Sequence, residues 1–329
     1  MILTIQEYDA AEQEAKCGLS FTELMAFSPR TFENLGFPHR VQDERELVRY
    51  ADWNRDAENQ EYFKPAHFMS GPAVWTEYTL DEVAAMDRVR DQAVEVTRKL
   101  GRAIRPLCGP FAQLGLFRIL CAITANNLSS LRVFEVGPGT GYLGALLINN
   151  GVGFYSFTDN AQALFLWQSR MLAEVGRLES GIPWWQFVRG ENLSPVDVVI
   201  SNANLAEMTP SALKIVAHRA RHMLGGSVIG LLLFTNVGYQ SQNTNEGVMS
   251  ALGNAGFRCV FDRLFRGYIV DGHQLPFDVG PLQTEIPLYN PSGRAERVSG
   301  IEAVQIPDDK RPLDLDITKV LEGREPHEN

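Results

Sequence analysis

The stretch VFEVGPGTGYLG, residues Val133 to Gly144, constrains this chain more than any other. An apolar run is followed by glycines at 137, 139, 141 and 144, and then by the helix-like YLGALLINNG. Glycine allows positive φ and lets the backbone pass close to a neighbour, so the stretch reads as strand, tight turn and helix. In open parallel sheets the ligand sits at the carboxyl ends of the strands, beside this kind of turn.

The residues that follow keep the alternation. LRVFEV, FYSFTDN, WWQFV, VDVVIS and SVIGLLLF read as strands, separated by helical segments such as AQALFLWQSRMLAEVG. A further helix has Thr209 as N-cap and Pro210 in its first turn, and ends before Gly225. FRCVFDRLF and GYIVDG read as a closing antiparallel pair. Strands alternating with helices imply a parallel sheet covered on both faces. Residues 1–128 read as helical with proline breaks. Within them, TLDEVAAMDRVRDQAVEVTRKLG carries a capping box, Thr79 with Glu82, and stops at Gly101. The expected division is an N-terminal helical cap and acceptor region over 1–128, a ligand-binding domain over 129–280 and a polar, proline-rich tail over 281–329.

Composition narrows the function. Of 329 residues, 45% are hydrophobic, enough for a sizeable core, and the net charge is −10. An acidic surface repels phosphate backbones, so nucleic acid is not an expected partner. The apolar run VIGLLLF is far shorter than the ~20 residues of a membrane span. No basic-then-apolar leader opens the chain, and its four cysteines are scattered without a CxxC pair. A cytoplasmic protein with reduced thiols, and no membrane partner, is expected.

No Gly-Lys-Ser/Thr follows the glycines, which removes a triphosphate loop. Gly139-Thr-Gly141-Tyr-Leu-Gly144 satisfies the G-x-G-x-x-G dinucleotide pattern. Glu135 argues against it, because a carboxylate two residues before the first glycine would face a pyrophosphate. The same acid would attract a ligand with an ammonium and a cationic sulfur. Asp159, closing its strand, can accept both hydroxyls of a ribose under either reading. A purely structural turn is the third reading.

Glu135-Val-Gly137-Pro-Gly139-Thr-Gly141 resembles the first motif of the class I S-adenosylmethionine-dependent methyltransferases. TDNAQALFLWQSRM and DVVISNANLAEM resemble stretches of a bacterial sugar O-methyltransferase family. The resemblance implies an α/β fold with a Rossmann-like seven-stranded sheet, helices on both faces and an antiparallel last strand. It implies S-adenosyl-L-methionine as cofactor and a small-molecule acceptor, a sugar in that family. Whether the chain forms a homodimer is left open. Carried over by position, Glu135, Gly137, Gly139 and Gly141 would lie at the methionine portion. Asp159 and Asn160 would hold the ribose, Glu191 or Asn192 would flank the adenine, and Ser201 and Asn202 would close the site. SNAN replaces the Asn/Asp-Pro-Pro-aromatic of enzymes that methylate amino groups of adenine or glutamine, which argues against that branch. A non-catalytic donor-binding protein and a dinucleotide-dependent oxidoreductase remain the alternatives.

Methyl transfer to a hydroxyl calls for a general base. Glu207, in the loop after VDVVIS, and His67, in KPAHFMSGP, are the candidates. Tyr62, Phe63, Phe68 and Trp75 could stack on an acceptor, although core packing is the commoner use of aromatics. His218 and His222 stand four apart but fall among arginines near a helix end, where a solvated face is the better reading. His273 is expected at the opposite end of the sheet, Trp167 in the core, and no metal site is expected.

Overall fold

The computed structural model describes residues 2–27, 39–51, 80–106, 113–124, 127–176, 181–202, 204–235, 243–262 and 265–275. Six strands form one sheet: β1 (Arg132–Val136), β2 (Phe154–Thr158), β3 (Val198–Ser201), β4 (Leu231–Thr235), β5 (Phe257–Asp262) and β6 (Phe265–Val270). Their order is β2-β1-β3-β4-β6-β5. The first four run parallel, while β6 inserts antiparallel between β4 and β5. The central strands are buried along their length, as parallel strands between two helical layers must be.

Six described strands stand where seven were expected, and WWQFV accounts for the difference. Trp184–Arg189 is not a strand but a short helix. Aromatic residues favour strands, yet here tertiary packing outweighs that preference. Trp184 stacks on Phe27, Trp185 meets Tyr8 edge-on and Phe187 stacks on Phe134, so one helical turn buries side chains in three directions. Beside β2 the described residues form an isolated parallel bridge, Gly181 with Phe157, where Ile182 N–H donates to the Phe157 carbonyl at 2.8 Å.

The N-terminal helices are α1 (Ile5–Lys16), α2 (Phe21–Phe27), α3 (Leu80–Lys99) and α4 (Leu114–Ile123), with a 3-10 turn over Glu44–Tyr50. Helices α5 (Tyr142–Asn149), α6 (Gln162–Glu174), α7 (Trp184–Arg189), α8 (Pro210–Leu224) and α9 (Asn245–Asn254) follow. Thr4 and Glu7 form a reciprocal capping box at α1. Thr209 caps α8 as expected, accepting from Ala212 N–H at 3.1 Å. Thr79 lies outside the described residues, and with it the expected capping box; Glu82 is placed in the first turn of α3. Its carboxylate makes a buried two-point ion pair with Arg118 of α4, at 2.6 and 2.9 Å.

Helix α1 packs on α6 and α7, α2 on α8, and α3 on α5 and α6, so these helices share the core of the sheet. Glu12 of α1 is 1% exposed and accepts from Trp184 Nε1 at 2.8 Å and Lys16 Nζ at 3.0 Å, and from Arg40. No helix among the described residues is long and apolar enough to cross a membrane.

Candidate cofactor site

The site is built where β1 and β2 end. Gly137, Gly139 and Gly141 have φ values of 66°, 60° and 72°, which side-chain-bearing residues adopt only at a cost. Gly137 N–H donates to the Thr158 carbonyl at 2.8 Å, tying the loop to β2, and Gly141 opens α5. Three uncharged side chains hold the loop's carbonyls. Asn204 donates to Val136 and Gly137, Gln168 to Gly139 at 2.6 Å and Trp167 to Thr140 at 3.1 Å. Trp167 is a core residue, as read from the sequence, and also a clamp on the turn.

Not all of the missing side-chain volume is left for a ligand. A Cβ on Gly137 would lie 2.6 Å from Asn204 Nδ2, and one on Gly141 would lie 3.2 Å from Gln168 Cγ. A Cβ on Gly144 would strike the Tyr155 ring at 2.5 Å. Gly144 therefore makes room for Tyr155, whose hydroxyl donates to Glu135 at 2.6 Å.

Glu135 is 1% exposed and lies beneath the loop. Burial pushes its carboxyl up to about 7; the Tyr155 hydrogen bond opposes this and the Asp159 charge reinforces it. Asp159 is also buried and follows β2 directly. Its Oδ1 accepts from Ala161 N–H at 3.0 Å and its Oδ2 from Gln168 at 2.9 Å, while burial pushes it up to about 6. Asn160 beside it is half-buried. Two acidic groups of raised pKa within electrostatic range form a place that a cation would stabilise and an anion would not.

Ser201 ends β3 and is buried; among the described residues its Oγ has no hydrogen-bond partner, and neither do Thr158 Oγ1 and Gln168 Oε1. Such orphaned atoms are what a site leaves for ligand hydroxyls or water. Asn202 reaches Gln113 Oε1 at 3.3 Å. Glu207, 8% exposed, donates its N–H to the Asn204 carbonyl at 3.0 Å, one turn from the residue that grips the glycine loop. Asn243 pins this turn by donating to the Leu205 and Met208 carbonyls.

Glu191 and Asn192 do not join the group. They follow α7 rather than a strand, and α7 runs away from the carboxyl edge. Its Val188 carbonyl accepts from Arg219, late in α8, and Glu191 is exposed beside Arg189. The strand that was expected to precede this acid is a helix instead. His67, Tyr62, Phe63, Phe68 and Trp75 lie outside the described residues. His218 and His222 are exposed on α8, and His273 sits against Gly230 at the start of β4, away from the site. Sequence reasoning missed Tyr155, Gln168, Asn204 and Asn243.

No family model and no curated protein matches the chain. Among solved structures it is similar to magnesium protoporphyrin IX methyltransferase from Synechocystis PCC 6803 with bound S-adenosylmethionine. Identity there is 16%, over 70% of this chain and 99% of that one, with a TM-score of 0.36. Human N-acetylserotonin methyltransferase in complex with S-adenosylmethionine matches at 13% identity, over 66% and 70%, with a TM-score of 0.32. A mitomycin 7-O-methyltransferase matches at 11% identity, over 81% and 72%, with a TM-score of 0.32. Overlap this low transfers no residue roles.

Proposed function

We propose that the chain binds S-adenosyl-L-methionine at the loop between β1 and α5 and transfers its methyl group to a small-molecule acceptor. The observation that supports this most is the pair of buried carboxylates, Glu135 and Asp159, around a positive-φ glycine turn whose carbonyls are held by uncharged side chains. A pyrophosphate would meet repulsion there, and a ligand carrying an ammonium and a sulfonium would meet attraction.

When bound, the cofactor supplies a methyl carbon activated by a cationic sulfur. The chain's own residues would do the rest. Gly137, Gly139 and Gly141 give close backbone approach, and Glu135 supplies negative charge beneath the loop. Asp159, with Asn160 beside it, accepts the ribose hydroxyls, and Ser201 and Asn202 close the site. Glu207 takes the proton of the acceptor hydroxyl as the oxygen attacks in line, with no metal required. Residues 129–280 would hold the cofactor and residues 1–128 the acceptor.

The finer reading is O-methylation of a sugar or a glycosylated metabolite. It is supported by the resemblance of residues 158–171 and 197–208 to the sugar O-methyltransferase family. Calorimetry against S-adenosylhomocysteine and NADPH tests the cofactor. S-adenosylhomocysteine should bind, and Asp159→Ala should weaken it by about 1–3 kcal/mol, the cost of unpaired hydroxyls. Binding of NADPH alone would replace the proposal with an oxidoreductase. A screen of hydroxyl and amine acceptors with labelled donor tests the acceptor, and transfer to amines alone would exclude O-methylation.

A further inference from the structure

Gln168 has no place in the site as read from the sequence, yet it touches both halves of it. It sits on α6 and is fully buried. One nitrogen, Nε2, donates to the Gly139 carbonyl at 2.6 Å and to Asp159 Oδ2 at 2.9 Å. A carbonyl and an ionised carboxylate can only accept, so the amide nitrogen must face them, which fixes the orientation. The amide oxygen then points away, buried and without a partner among the described residues.

We propose that Gln168 is a positioning residue that locks the glycine loop to Asp159 and presents that carboxylate, as an acceptor, to the ribose hydroxyls. This rests on the reading of Asp159 as the ribose acceptor. A carboxylate has about four acceptor positions. Gln168 and the backbone N–H groups of Ala161 and Asn160 take up to three of them, leaving room for a ligand hydroxyl. Burial raises the Asp159 pKa to about 6 and the Gln168 bond opposes that rise. A ligand whose hydroxyls donate to the ionised form therefore binds more weakly as pH falls through this region.

Other titratable groups face Asp159. Among the described residues these are Glu135 from β1 and Tyr8 from α1, and Tyr8 in turn feels the charges of Asp9, Glu12 and Arg40. Tyr8 is pushed well above its ordinary range by burial and stays neutral. Glu135 titrates nearby, so the experiment is best repeated in a Glu135→Gln background.

S-adenosylhomocysteine affinity of the full chain is measured by calorimetry between pH 5 and 7.5 for wild type, Gln168→Met and Gln168→Lys. Methionine keeps the length but donates nothing, and lysine donates with a full charge. The binding midpoint should move up by about one pH unit in Gln168→Met and down in Gln168→Lys. Either shift alone, from whichever variant folds, supports the proposal. Weakening by the same factor at every pH overturns it, since that is what loss of packing alone would do. Absence of binding by wild type would overturn the cofactor reading instead.

Discussion

Asn204 lies so close to Gly137 that a side chain on the glycine would collide with the amide. The Asn204 amide donates to the Gly137 carbonyl at 2.7 Å and to the Val136 carbonyl at 3.0 Å, and occupies the space a Gly137 side chain would need. The loop after β3 is thereby bolted to the turn after β1, and Glu207 follows from the same loop. Geometry at the glycine turn and geometry at the candidate base are a single property.

Gly137→Ala meets two penalties, a positive φ of about 1–2 kcal/mol and a Cβ crowding the Asn204 amide. Thermal unfolding should occur several degrees lower, and S-adenosylhomocysteine affinity should drop at least tenfold. Adding Asn204→Ala relieves the crowding but not the φ strain, so the double variant should recover only part of the melting temperature. Full recovery would mean the turn tolerates alanine and that crowding alone matters.

Glu135 makes folding pH-dependent in the ligand-free protein. Unfolded, it ionises about its ordinary 4.5; buried, it holds its proton up to about 7. Between these values the folded chain binds a proton that the unfolded chain has released, so stability falls as pH rises through the window and levels off above it. Asp159, raised from 3.8 to about 6, acts in the same direction at lower pH. Melting temperature measured from pH 4.5 to 7.5 should decline more steeply in wild type than in Glu135→Gln. Parallel profiles would show that Glu135 is already ionised in the fold.

Glu12 ties α1 to α7 and to Arg40. In Glu12→Ala the buried Trp184 indole N–H loses its acceptor, and Arg40 keeps only Asp9. The expected loss is about 2–4 kcal/mol in denaturant unfolding, from breaking a buried charged network that is partly open to water at Arg40. Glu12→Gln, which retains an acceptor for the indole, should lose less. Equal losses would assign the effect to charge rather than to the indole hydrogen bond.

Much of the sheet was legible because its strands are short apolar runs punctuated by glycine, aspartate and proline. The runs LRVFEV, VDVVIS and the closing hairpin all became strands, and Thr209 with Pro210 started α8 as read. WWQFV misled because its preference for strand and its burial are both real. The choice between them was made by Phe27, Tyr8 and Phe134, which lie far away in the sequence. Glu191 and Asn192 therefore follow a helix and not the strand that was expected before them. The positive-φ turn at Gly137 and Gly141 and the place of Asp159 at a strand end were legible because backbone conformation and strand ends leave local marks. Gln168, Asn204 and Tyr155 could not, since an amide or phenol on a helix or strand reveals its partner only once the sheet is assembled.

Glu207 is the residue on which the proposed proton transfer depends. It follows β3, it is 8% exposed, and its backbone N–H is held by Asn204, so its position is tied to the glycine turn. Glu207→Gln preserves size and hydrogen-bonding reach while removing the base. Turnover with the accepted substrate should fall by roughly 10²–10⁴-fold, the usual contribution of a general base, while S-adenosylhomocysteine affinity stays within about twofold of wild type. Rates should be unchanged by a chelator and by added magnesium, because the carboxylate takes the proton unaided. A loss of less than about tenfold would move the base elsewhere, and His67→Gln would be the next variant assayed. Equal losses in turnover and in S-adenosylhomocysteine affinity would instead mark Glu207 as part of the frame that shapes the cofactor loop.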